Sequence, residues 1–312
     1  MPYPIERKLV VGVSSNALFN LEKEHDIFES KGLQEYRKYQ IEHKTDILNP
    51  GMAFPFIRRF LNINKVYSDE LPVEVVLFSK NSPETGVRIF NSIRHYELDI
   101  TRAAFTSGQS PYKYIPAFNI SLFISTDMND VQNAINANLA AGRILKTNVV
   151  DDDESLELRV AFDFDGVIAD DEAENIYKTD GLKKYLEYES SKAMIPHRSG
   201  LLADFFRKLS YFQMLETKKQ ESDPGYKKFV KTTIITARNA PAHERAFTTL
   251  SNWGVTVDEM FLLGGIDKRR ILEVIKPHLF LDDQLIHLDT SMQNIPLVHI
   301  PFRANTVNPG SE

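Results

Sequence analysis

Short apolar runs rich in β-branched residues recur along this chain, each followed by a segment long enough for a helix. Leu9–Val13, Val73–Phe78, Ala103–Phe105 and Ile120–Ile124 read as strands in the first half. Leu158–Asp163, Thr232–Ile235, Met260–Leu263, Leu279–Leu281 and Pro296–Ile300 read as strands in the second. Helical segments are expected over Leu18–Glu42, from Phe54, over Glu84–Tyr96 and Asp130–Leu139, and later over Pro241–Asn252 and Lys268–Ile275. A strand that is apolar throughout must be covered on both faces, and strands alternating with helices are what parallel βαβ units require. The expected class is α/β with a parallel sheet.

At 312 residues the chain is long enough for two ordinary domains. The acidic run Asp151-Asp-Asp-Glu154 reads as a solvated linker and divides the chain at 1–150 and 151–312. Cys is absent, which excludes a disulfide scaffold and thiolate metal sites. The net charge of −6 without a stripe of Lys and Arg argues against a nucleic acid polymer as partner. No apolar run approaches the roughly 18 residues of a membrane span, and Met1–Lys8 leads only into a short strand. A cytoplasmic protein is expected; its oligomeric state is left open.

The halves repeat each other weakly. A shift of 157 residues places Ser79 on Thr236, Arg88 on Arg245, Phe90 on Phe247 and Gly108 on Gly265; a shift of 149 places Ser14 on Asp163 and Asn16 on Asp165. This suggests a tandem repeat. The first copy would then carry Ser14, Asn16, Ser125 and Thr126 where the second carries Asp163, Asp165, Asp282 and Asp283. Such a half would serve as a scaffold or substrate-side wall.

The chemistry gathers at strand ends. Asp163-Phe-Asp165-Gly166 follows an apolar strand, and two carboxylates one residue apart repel each other unless a cation or donors compensate them. Taken alone, the motif could be a strand ending in a solvated turn. Downstream, one strand ends at Thr236, Lys268 follows the Gly264-Gly265 turn, and another strand ends in Asp282-Asp283. Ligands of open α/β sheets collect at the carboxyl ends of strands. Four carboxylates converging there call for a hard cation, and Mg²⁺ with oxygen ligands is the natural choice. A carboxylate beside such an ion can attack phosphorus, and a second one can protonate the leaving alkoxide.

This ordered set resembles the haloacid-dehalogenase superfamily, which implies a Rossmann-like parallel sheet with a helical cap insert, here at about 171–225, preceded by a degenerate repeat of the same fold. The resemblance implies Asp163 as nucleophile and Asp165 as acid/base, with Thr236 and Lys268 binding phosphate. It implies metal ligands among Asp163, Asp165, Asp282 and Asp283, without deciding between the last two. A narrower likeness covers most of the chain. Val11–Leu21, Ser79–Gly86, Phe90–Ile93, Asp99–Phe105, Thr236–Arg245 and Phe261–Gly265 resemble the type I cytosolic 5′-nucleotidases. That implies Mg²⁺-dependent hydrolysis of nucleoside 5′-monophosphates. Phe164 departs from animal members, where Gly separates the two aspartates. Alternatives are a phosphatase for another small phosphoester and a nucleotide-binding protein without turnover. Candidate substrate contacts are Arg238, Asn239 and Arg198, with Asn81 and Arg102 expected at strand ends of the first half.

Overall fold

The computed structural model describes residues 4–151 and 155–303, except for the side chain of Glu84. The chain divides into two compact units at Asp151. Of the acidic run, Asp152, Asp153 and Glu154 lie outside the described residues. Asp151 is not a solvated linker residue: it pairs with Arg58 at 2.9 Å and with the fully buried Arg59.

Unit 1 contains β1 (Leu9–Ser14), α1 (Ser15–Leu18), α2 (Glu22–Glu42), α3 (Phe54–Val66) and β2 (Val73–Ser79). It continues with α4 (Val87–His95), β3 (Arg102–Phe105), β4 (Ile120–Ser125), α5 (Met128–Asn136) and β5 (Ala141–Ile144). Its strands run in the order β3-β2-β1-β4-β5, every pairing parallel. Val11, Val75, Val76, Leu122 and Phe123 are fully buried, as strands covered on both faces require.

Unit 2 contains β6 (Leu158–Phe162), α6 (Glu172–Ser191), α7 (Ala203–Ser222) and β7 (Val230–Thr236). Next come α8 (His243–Asn252), β8 (Glu259–Leu262), α9 (Arg269–Ile275), β9 (Leu279–Asp282) and β10 (Leu297–His299). Its order is β8-β7-β6-β9-β10, again parallel throughout. Counted within each unit, both sheets follow the order 3-2-1-4-5. The chain moves one way from the central strand and then returns to its other side, so the switch point lies between the first and fourth strands. Parallel α/β architecture of a Rossmann-like kind is therefore what the chain adopts, consistent with the haloacid-dehalogenase fold.

The likeness between the units extends to single hydrogen bonds. Leu48 N–H donates to Ser92 Oγ at 2.9 Å, and His197 N–H to Thr249 Oγ1 at 3.0 Å. Arg88 Nε donates to Asp46 O and Arg245 Nε to Ile195 O, both at 2.9 Å. The Phe28–Tyr36 rings meet edge to face at 6.0 Å, and Tyr177–Tyr185 at 5.9 Å. Gly32 in α2 and Gly181 in α6 both break their helices at φ +80°, a conformation that favours glycine.

Three details go beyond the expectations. The segment 171–225 holds two helices, α6 and α7. Helix α7 buries Phe205 and Phe206 against Phe162 of β6, with ring centres at 6.2 and 5.2 Å, and so packs on the sheet. The first helical segment, expected as one helix or a pair, is α2, broken at Gly32 and preceded by the short α1. Strand β5 was not anticipated, because Ala141-Gly-Arg-Ile144 is too short to show a period. Among the described residues, no helix is long and apolar enough to cross a membrane.

Candidate active site

The site of unit 2 forms at the carboxyl ends of β6, β7 and β9. Asp163 follows β6; its backbone N–H donates to Leu281 O at 2.8 Å, tying it to β9. Its Oδ1 accepts the N–H of Phe164 at 2.7 Å and its Oδ2 faces Lys268 Nζ at 2.8 Å. Lys268 stands at the start of α9 and also donates to Asp282 Oδ2 at 2.7 Å. All three side chains are buried. One ammonium thus bridges two strand ends.

Asp282 is saturated with donors. Besides Lys268, it accepts the N–H of Gln284 at 2.8 Å, and His287 Nδ1 lies 3.2 and 3.1 Å from its two oxygens. Asp283 beside it is the opposite case: it is buried, and neither carboxylate oxygen meets a hydrogen-bond donor among the described residues. Gly166, at φ +72°, lets the chain pass under this carboxylate; a Cβ there would stand 2.6 Å from Asp283 Oδ2.

The electrostatics follow. Burial pushes the Asp283 carboxyl up to about 9, reinforced by the charges of Asp163, Glu174 and Asp282. Burial also raises Asp163, against the pull of Lys268. Burial would raise Asp282 too, but the charge of Lys268 and the His287 contact hold it below the ordinary carboxylate range. Burial disfavours the charged form of Lys268, and the charges of Asp163 and Asp282 more than offset this, so its pKa rises. Three adjacent buried carboxyls against one ammonium leave a deficit of positive charge. Ligand atoms of Asp163, Asp282 and His287 lie within 4.8 Å of one another and could hold a metal ion. The orphaned oxygens of Asp283 and the all-oxygen character of the acids suit a hard cation.

Asp165 is placed differently. Arg238 grips it in a fork, Nε to Oδ2 at 2.7 Å and Nη2 to Oδ1 at 2.6 Å. The remaining guanidinium nitrogen, Nη1, donates to Ala242 O at 3.0 Å and to Glu189. Burial opposes the charge of Arg238, but the charge and hydrogen bonds of Asp165 outweigh it and raise the pKa. Arg238 is 2% exposed, and its guanidinium nitrogens already meet Asp165, Glu189, Ala242 and His197. Phe164 lies beneath this pair: the guanidinium sits 5.1 Å from its ring centre, and His197 meets it edge on at 5.7 Å. The residue that departs from the familiar pattern thus packs behind the carboxylates.

Glu189 of α6 anchors the same network, reached by Arg245 Nη1 at 2.8 Å and by His197 Nε2 at 3.2 Å. Burial would raise its carboxyl, but His197 and Arg238 hold it at about 2. Asp170, Glu172 and His197 also cluster closely enough for a metal ion. Yet Arg245 already pairs with Glu172 at 3.1 Å, and Arg238 Nη2 lies 2.9 Å from His197 Nε2, so positive charge is present there. Glu189, His197, Arg245 and His287 were not singled out from the sequence. The shift that aligned Arg88 with Arg245 was the available signal for one of them; the rest become visible only when α6 folds over the strand ends.

One pH effect follows from Glu189. Its folded pKa is depressed below the ordinary 4.5, so its stabilisation is complete above pH 4.5 and is lost as pH falls through about 2. Urea unfolding of the wild type should lose about 3 kcal/mol more than Glu189→Gln across that window. Equal acid sensitivity of the two proteins would contradict the assignment.

Of the other candidates, Thr236 ends β7 buried, its Oγ1 accepting the N–H of Arg238 at 3.2 Å, which leaves its hydroxyl proton to donate. Asn239 is exposed and packs against Gly264; Arg198 is exposed. Asn81 and Arg102 belong to unit 1. Arg102 is not at a carboxyl end: it opens β3 opposite Val76 and pairs with Glu74 at 2.8 Å, because the strand begins there.

No solved structure matches this chain. Over 298 residues it is 34% identical to cytosolic 5′-nucleotidase 1B of Homo sapiens, covering 92% of this chain and 48% of that protein. The chain spans about half the length of the curated relative it matches. The model of the 5′-nucleotidase family matches residues 1–307, which takes in both units and the whole constellation from Asp163 to Asp283. With the buried acids, Lys268 and Thr236 at one sheet edge inside that match, the chain belongs to the 5′-nucleotidase family.

Proposed function

We propose that unit 2 hydrolyses nucleoside 5′-monophosphates to nucleoside and phosphate, with Mg²⁺ as cofactor. The observation that carries this reading is Lys268 bridging buried Asp163 and Asp282, with the unpartnered Asp283 alongside. Asp163 attacks phosphorus, and the bond to the 5′ oxygen breaks. Asp165, aimed by Arg238, gives its proton to the leaving oxygen and later takes one from the water that releases phosphate from Asp163. Lys268 and the hydroxyl of Thr236 hold phosphoryl oxygens, the positions where charge develops.

Asp163 and Asp283 would hold the ion directly, together with the backbone carbonyl of Asp165. Asp282 is already occupied by Lys268, His287 and the Gln284 amide, and the Asp165 side chain by Arg238. When bound, Mg²⁺ supplies positive charge to the phosphoryl oxygens and to the nucleophile. Asn239 and Arg198, exposed on the unit 2 side, are the remaining candidates for contacts to the nucleotide. The relative is named as cytosolic, and we place this chain in the same compartment.

We further propose that unit 1 is a degenerate copy of unit 2. The shared strand order and the paired hydrogen bonds support this, and Ser14, Ser125 and Thr126 stand where unit 2 has its acids.

Phosphate release from AMP, IMP and deoxynucleotides should vanish on chelation and return with added Mg²⁺. Asp283→Asn should raise the Mg²⁺ concentration needed by about tenfold or more. Turnover that persists in chelator would contradict the metal role, and a phosphoester panel with no preference for nucleotides would contradict the substrate.

A further inference from the structure

Unit 1 holds a cavity of about 490 Å³ at the carboxyl ends of its strands. That is within the range of small-molecule sites, roughly 300–1,000 Å³. Asn16 after β1, Lys80 and Asn81 after β2, and Asp127 after β4 line one side; Phe28 and Tyr36 of α2 line another. In the shifts of 149 and 157 residues that align the units, Asn16 and Asn81 fall at the places of Asp165 and Arg238 respectively. The strand-end acids are gone, so nothing here repeats the nucleophile.

We propose that this cavity binds a neutral nucleoside and does no chemistry on it. The proposal rests on the reading that the chain handles nucleotides, whose other hydrolysis product is a nucleoside. Charge argues for a neutral ligand. Lys80 is engaged by Asp127 at 2.6 Å and Asp130 at 3.0 Å, and Glu24 in the wall pairs with Arg88 at 2.5 Å, so these pairs add no surplus cation, while His25 and the exposed Arg37 stand at the rim. Hydrogen bonding argues for a ring that carries acceptors. Tyr36 donates its hydroxyl to Asn81 Oδ1 at 2.7 Å while accepting from Gln40 Nε2 at 3.1 Å. Asn81 Nδ2 then has no partner among the described residues. A buried donor left unmade costs stability, and a ring nitrogen or carbonyl of a base would satisfy it. Phe28 supplies an aromatic face, 43% exposed although it lines the cavity, and stacking on such a face suits any base.

The test is titration calorimetry of adenosine and of cytidine into the full chain, with phosphate release measured on the same samples. Phe28→Ala removes the stacking face, and Leu33→Trp fills the cavity from a half-exposed position in its wall. Each should weaken nucleoside binding about tenfold or more, with kcat and KM for nucleotide hydrolysis unchanged. Leu33→Trp keeps the test open should Phe28→Ala fail to fold. No nucleoside binding by the wild type, or equal affinity in both variants, overturns the proposal. So does Phe28-dependent binding that favours a nucleoside monophosphate over the nucleoside. Phe28-dependent nucleoside binding without phosphate release from any nucleotide supports this inference and overturns the reading of unit 2 alone.

Discussion

Asp163→Asn is expected to lower phosphate release by about 10⁴-fold or more, the scale on which removal of a nucleophile registers. The amide is nearly isosteric, so Lys268 keeps an oxygen partner and the strand end keeps its shape. Stability should not fall with activity. Asp163 is buried beside Asp282 and Asp283, and burial together with the Asp282 charge already disfavours its ionised form. Removing one of several repelling carboxyls should leave the thermal midpoint in metal-free buffer unchanged or raised. Nucleotide turnover by wild type and variant, with thermal unfolding of both, checks the pair of outcomes. Full activity in the variant would remove the proposed chemistry; lost activity with lost fold would make Asp163 structural.

Lys268→Met is expected to cost both activity and stability. The methionine fills the volume of the stem but removes the ammonium that bridges Asp163 and Asp282 at 2.8 and 2.7 Å. Breaking a buried pair leaves the remaining charges uncompensated, at about 3–5 kcal/mol. The sign with pH is fixed by the same argument. Without Lys268 the Asp163 carboxyl rises further above its unfolded value and Asp282 loses the charge that holds it low, so folding of the variant takes up more protons than folding of the wild type. Its stability deficit should therefore be larger at pH 8 than at pH 5, read by urea unfolding without metal. Turnover should drop about 10²–10³-fold, as for loss of one charge-stabilising donor. A deficit that does not depend on pH would mean that Lys268 acts by packing alone.

The strands of unit 2 were legible because their apolar runs end abruptly at polar residues. Leu158–Phe162 runs directly into Asp163, Thr236 closes β7, and Leu279–Leu281 runs into Asp282. Parallel pairing then brings those ends to one edge, which is why spacing along the chain could stand for proximity. Side chains that reach the site from helices were not legible. Glu189 lies near the C-terminal end of α6, and nothing in its neighbours sets it apart until the helix, broken at Gly181, brings it to Arg238. The partners of Arg238 were hidden for a related reason. A loop arginine after a strand looks available to phosphate, and only the fold shows Asp165 and Glu189 already on it. The Phe205-Phe206 pair of α7 packs on the sheet, a use that helical spacing does not distinguish from a lid.

The central claim is that Asp163 becomes phosphorylated during turnover. Acid quenching of the wild-type chain while it turns over a nucleoside monophosphate with Mg²⁺, followed by borohydride reduction, converts an acyl phosphate into homoserine. Peptide mass spectrometry should find that conversion at residue 163, absent without substrate and absent in Asp163→Asn. Conversion at another carboxylate, or none at all from samples that release phosphate, would contradict the account.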